Sequence, residues 1–162
     1  FDVTTGCDLQ EDDNADNQAV KEITQRFDFK GIKAGIDLLR AENKIVLTGP
    51  DEFKIKAVWE VLQTKLVKRK VPRRNLTPGK SDSAALGTAR QEIELQQGIP
   101  IETAREIVKF VKENKLKKVQ VSIQADQVRV SSPSRDELQG VMALLRQHDF
   151  GVELNFGNFR SQ

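Results

Sequence analysis

Positive charge is concentrated at two places in this chain. Lys65, Lys68, Arg69, Lys70, Arg73 and Arg74 stand within the run KLVKRKVPRR, and Lys112, Lys115, Lys117 and Lys118 form a second group. Cations at a helix end and in the loop after it suit the negative pole of the helix dipole and attract phosphate. A solvated helix end has the same composition. The matching positions of the two clusters therefore say more than either cluster does. Between them in interest lies VQVSIQADQVRVSS, residues 119–132, where apolar and polar residues alternate. Alternation sends Lys118, Gln120, Ser122, Gln124, Gln127, Arg129 and Ser131 to one face. That face offers donors and charge at alternate-residue spacing, enough for a phosphate and a base edge. It equally fits the solvated face of an antiparallel sheet. Candidate phosphate- and base-contacting residues are Lys118, Gln120, Gln124 and Arg129 on the strands, Lys68, Arg69 and Lys70 at the helix end, and Arg160 in the closing FGNFR.

Catalytic patterns are missing. The chain has no GxGxxG, Walker A, HExxH or GxSxG segment. One cysteine and one histidine do not make a Cys/His zinc site. Cys7 precedes a helix but has no histidine near it in sequence, so a passive thiol is expected. His148 falls in a loop with no nucleophile beside it. No catalytic residue, metal or cofactor is expected. A net charge of +2 means that any polyanion affinity comes from local clustering. No apolar run approaches a membrane span and no charged-then-apolar leader opens the chain. With a single cysteine, these features give the expectation of a reducing cytoplasm and no membrane partner.

The elements that position these residues come as a repeated unit. From 119 to 146 the pattern is strand, Ala125-Asp126 turn, strand, then a helix opened by Ser134 with Glu137 three residues on. Residues 45–63 repeat the strand and helix at a constant offset of 83, pairing Ile45 with Val128, Pro50 with Pro133 and Leu62 with Leu145. Each half reads βαββα plus one strand. The expected fold is α+β: two ferredoxin-like (βαββαβ) sandwiches, antiparallel sheets with helices on one face. The expected division is 1–78 for one lobe, 79–88 for a flexible linker with Leu76 at a short edge strand before it, and 89–162 for the second lobe, with edge strands open to sharing between lobes. The stripe of the first helix should run through Leu9, positions 12, 13 and 16, Val20, Ile23 and Phe27. Asp12, Asp13 and Asp16 break it, which fits a solvated first turn or a cation site. The second helix should bury Phe53, Ile55, Val58, Leu62 and Leu66, with Trp59 on its flank.

Six separated segments resemble the YajQ family: FDVTTGCDLQE at the start, RFDFKGI at 26–32, QQGI at 96–99, residues 107–130, SRDELQGVMALLR at 134–146, and FGNFR at 156–160. The resemblance spans essentially the whole chain. It implies a cytoplasmic bacterial protein of two ferredoxin-like lobes, non-enzymatic and nucleotide-binding. It further implies a nucleotide or cyclic dinucleotide as ligand, cyclic di-GMP in some members, with a transcription regulator as partner, or RNA or tRNA as the alternative. A protein-interaction scaffold is the third reading. The family carries no catalytic motif to transfer. Its pattern has valine at 12 and 16, where this chain has aspartate.

Overall fold

The computed structural model describes residues 1–84, 87–116 and 118–159. In chain order the elements are β1 (Asp2–Thr4), α1 (Leu9–Gln25), β2 (Gly35–Leu39), β3 (Lys44–Gly49) and α2 (Glu52–Lys68). After them come β4 (Leu76–Pro78), β5 (Asp82–Ala84), β6 (Thr88–Leu95) and α3 (Ile101–Glu113). The chain closes with β7 (Gln120–Gln124), β8 (Gln127–Ser131), α4 (Arg135–Gln147) and β9 (Asn155–Gly157).

Local chemistry sets the boundaries. The Asp8 carboxylate accepts from the amides of Gln10 at 2.9 Å and Glu11 at 3.3 Å and starts α1. Asp51 does the same for α2 through Lys54, at 2.7 Å. The Ser134 hydroxyl accepts from the Glu137 amide at 3.3 Å and opens α4, as the sequence pattern requires. Ala125, at φ 55°, makes the turn between β7 and β8.

The fold is α+β, built from two ferredoxin-like halves with antiparallel sheets. One sheet has the order β7-β8-β1-β9 and the other β2-β3-β6-β4, with β5 also on β6. The chain divides into one unit of Phe1–Gly6 with Gln97–Gln162, and another of Cys7–Gln96. This differs from the expected division at 79–88. The central strands have traded places: β1 pairs with β8 and β9, while β6, expected to open the second lobe, pairs with β3 from Lys44↔Glu94 to Gly49↔Ala89. The expected linker holds β5, which pairs with β6 from Asp82↔Arg90 to Ala84↔Thr88. Positions 85 and 86 of that linker lie outside the described residues. Leu76 does begin a short edge strand.

Each unit has its own core. In Cys7–Gln96 it centres on Ile45, Leu47, Ile55, Leu62, Leu66 and Ile93, all fully buried. In the other unit Val3, Ile107, Val128, Val130, Val141 and Leu145 play that part. Removing one such side chain from water contributes about 1.5–3 kcal/mol. Three expected core positions are corrected. Phe53 is 78% exposed, Phe27 is 85% exposed and Val20 is exposed. The buried stripe of α1 is instead Asp12, Ala15, Asp16, Ala19 and Ile23. Position 27 is off the helix, which ends at Gln25 and gives way to a 3-10 turn. Asp12 and Asp16, expected in a solvated first turn or at a cation site, are buried inside a well-capped helix.

Candidate functional site

The open face of the β7-β8-β1-β9 sheet ends in a groove of about 740 Å³. Three expected residues line it: Lys118, Gln120 and Arg129. Gln120 and Arg129 are outward members of alternating strands, whose inward residues are the half-buried Val121 and Ile123 on β7 and the fully buried Val128 and Val130 on β8. Lys118 precedes β7 with a left-handed backbone, φ 61°. Beyond β8 the chain turns through Ser131, Ser132 and Pro133 into α4, and Arg135 in that helix's first turn also lines the groove. A helix N-terminus adds positive potential to the two arginines.

Strand exchange supplies the floor. Asp2 on β1 stands opposite Arg129 in the ladder. Its carboxylate accepts from Arg129 Nε at 3.0 Å and from Asn158 Nδ2 at 2.8 Å. The Arg129 hydrogen bond, with help from Asn158, holds the Asp2 carboxyl below its ordinary value against the opposing effect of burial. The pairing occupies only Nε. Both Nη groups of Arg129 are without a partner among the described residues, and its side chain is 45% exposed. Three cations against one carboxylate leave the lining of the groove positive. Phe1 lies at the margin, with its ring 5.7 Å from Phe156 and 6.0 Å from Phe159. Phe156 is half-buried, and Phe159 is 62% exposed.

The other expected residues fall elsewhere. Gln124 ends β7 and donates to Ser122 Oγ at 3.2 Å, outside the groove lining. Lys68, Arg69 and Lys70 belong to the Cys7–Gln96 unit at the end of α2. Arg69 pairs with Glu11 at 3.4 Å, and nearby Lys65 pairs with Glu22 at 3.1 Å. Lys68 and Lys70 are exposed. Arg160 and Lys117 lie outside the described residues. Sequence reasoning missed Arg135, Ser132, Asp2 and Asn158 as groove residues. Arg135 carried a signal, because it follows the Ser134 helix cap, three residues beyond the strand that bears Arg129. Asp2 and Asn158 carried none, since their role depends on which strand lies beside β8.

Neither lone reactive residue has the surroundings of a catalyst. Burial, then the nearby Asp12, pushes the Cys7 thiol up to about 11. The His148 ring is stacked 4.7 Å from Phe110 and 4.5 Å from Phe150. Among the described residues, no group of three or more His, Cys, Asp or Glu is placed to hold a metal ion. None of the described helices is long and apolar enough to cross a membrane.

Comparison with known proteins gives a consistent picture. A family model described as nucleotide-binding protein YajQ-like matches residues 1–160. A protein of Koribacter versatilis named as a nucleotide-binding protein is 52% identical over 161 residues, covering 99% of this chain and 96% of its own. Similarly named proteins of Solibacter usitatus and Elusimicrobium minutum are 50% and 44% identical, over 99% of this chain and 96% and 97% of theirs.

Proposed function

We propose that this chain, which belongs to the YajQ-like nucleotide-binding protein family, holds a nucleotide in the Lys118–Arg129–Arg135 groove without chemical turnover. The observation that carries the reading is Arg129. Asp2 fixes its Nε side, and its free Nη pair stands in a positive groove at the start of α4. Phosphate oxygens take charge-assisted bonds from Arg129 and Arg135, with Lys118 as a point charge and Ser131 and Ser132 as neutral donors. The exposed Phe159 ring beside Phe1 offers a surface for a base. A cyclic dinucleotide, cyclic di-GMP above all, is the ligand favoured here, because two phosphates match two arginines. In this reading the protein works in the bacterial cytoplasm and passes the ligand's presence to a transcription regulator.

A second reading, RNA binding, is favoured by one observation: Lys68 and Lys70 stand exposed, without a partner among the described residues, at the negative end of the α2 dipole. Calorimetric titration with cyclic di-GMP, GTP and a short single-stranded RNA separates the two. The groove reading expects saturable dinucleotide binding that Arg129→Ala weakens by about 10- to 100-fold, the worth of a lost charged hydrogen bond. Unchanged affinity in that variant removes Arg129 from the site. Binding of RNA alone, fading steeply with salt and lost when Lys68, Arg69 and Lys70 are neutralised, transfers the function to the helix end.

A further inference from the structure

We propose that the free edge of β7 docks an extended segment of a partner protein, with apolar and acidic residues alternating along one side of that segment. β7 ends its sheet and pairs only with β8 among the described residues. The unpaired backbone groups of an edge strand are a template for another strand, and proteins normally blunt such edges. The other edges here are blunted. β9 has three residues. β2 carries Asp37. The β4–β5 edge is interrupted by Pro78 and Gly79. β7 has five residues, Gln120 to Gln124, with no charge and no proline.

The surface beside this edge defines the occupant. Between α3 and β7 lies an open concavity of about 390 Å³, with Val108 and Ile123 half-buried in it and Arg105, Lys109 and Lys112 around it. A neighbouring concavity of about 560 Å³ shares Lys112 and continues along Leu116, Val119 and Val121. The half-buried apolar residues run along the edge because α3 does not cover them. Of the carboxylates on α3, Glu113 alone lines this margin, in a loose pair with Lys109 at 3.9 Å, both side chains largely exposed. A strand added to β7 turns alternate side chains toward α3. Apolar ones fill the space over Val108 and Ile123, and acidic ones between them meet Arg105, Lys109 and Lys112. Main-chain bonds supply affinity and these alternate contacts supply selectivity. A nucleic acid meets the same charge but leaves the backbone edge and the aliphatic floor unused, and no aromatic ring lines either concavity for a base to stack on.

The test uses the full chain and a labelled nine-residue peptide in which glutamate, valine and glutamate alternate with threonine. Fluorescence anisotropy should show saturable binding, and hydrogen exchange should slow at β7 amides. Two further peptides carry N-methyl groups on alternate nitrogens, in the two possible phases. One phase should weaken binding at least tenfold and the other leave it intact, because a strand faces its neighbour with every second amide. The Lys109→Glu/Lys112→Glu variant, which alters neither the nucleotide groove nor the core, should also weaken it at least tenfold. Absence of saturable binding overturns the proposal. So does equal binding of both methylated peptides, which leaves only charge attraction. Displacement of the peptide by a ten-nucleotide single-stranded RNA without a change at β7 assigns the patch to nucleic acid instead. Lys109 and Lys112 lie outside the Arg129 groove, so either result leaves the nucleotide reading untouched.

Discussion

Asp12 and Asp16 sit one turn apart on α1 at 0% and 4% exposure, and among the described residues their carboxyl oxygens have no hydrogen-bond partner beyond each other. The charged and titratable groups around them are Asp13 on the same helix, Arg40 and the Cys7 thiol. Arg40 is engaged by Asp13 at 3.7 Å. From α2, Lys65 and Arg69 reach Glu22 and Glu11 instead. Burial first, and then the crowding of carboxyls, pushes Asp16 up to about 9, while burial takes Asp12 up to about 6. Protons therefore bind the folded chain more tightly than the unfolded one. Their contribution to stability is whole below the ordinary carboxylate value, about 4. It falls as pH rises, through about 6 for Asp12 and about 9 for Asp16, and levels off above. Chemical denaturation across that range should show this decline in the Cys7–Gln96 unit. Asp16→Val should flatten it and stabilise the fold by roughly 1–3 kcal/mol at neutral pH, where a buried carboxyl that has to keep its proton gives way to apolar volume. A variant no more stable than the parent contradicts this account of α1.

At the scale of elements, the sequence carries what is local. The caps at Asp8, Asp51 and Ser134, the Ala125-Asp126 turn and the buried faces of α2 and β8 follow from side-chain chemistry within a few residues. Phe53 failed as a core residue because at 3.6 residues per turn it lies roughly 200° from Ile55, on the opposite side of α2 from the fully buried Ile55, Val58, Leu62 and Leu66. Strand pairing is a different kind of information. β1 and β6 both suit a central position, and nothing within either strand says whether its neighbour is β3 or β8. The exchange is testable. Ile93→Ala, with Ile93 fully buried on β6, should cost about 2–5 kcal/mol. Hydrogen exchange should then quicken at β3 amides and leave β8 amides protected. Loss of protection at β8 alone would return β6 to the second lobe.

For the molecule as a whole, duplication yields two units of one architecture and puts a basic region in each. One is the Arg129 groove and the other is the end of α2. Sequence alternation found Lys118, Gln120 and Arg129, because an outward residue on a strand is legible from its neighbours. The Asp2–Arg129–Asn158 arrangement that orients the guanidinium was not legible, because its members, on β1, on β8 and just after β9, are brought together only by the exchange. The central claim, that a nucleotide occupies this groove, is tested most directly by backbone amide NMR of the full chain titrated with cyclic di-GMP. The account predicts saturable shifts centred on Lys118, Gln120, Ser131, Ser132 and Arg135, with Lys68–Lys70 unmoved. Shifts centred on Lys68–Lys70 with a silent groove, or no saturable shift at all, would contradict it.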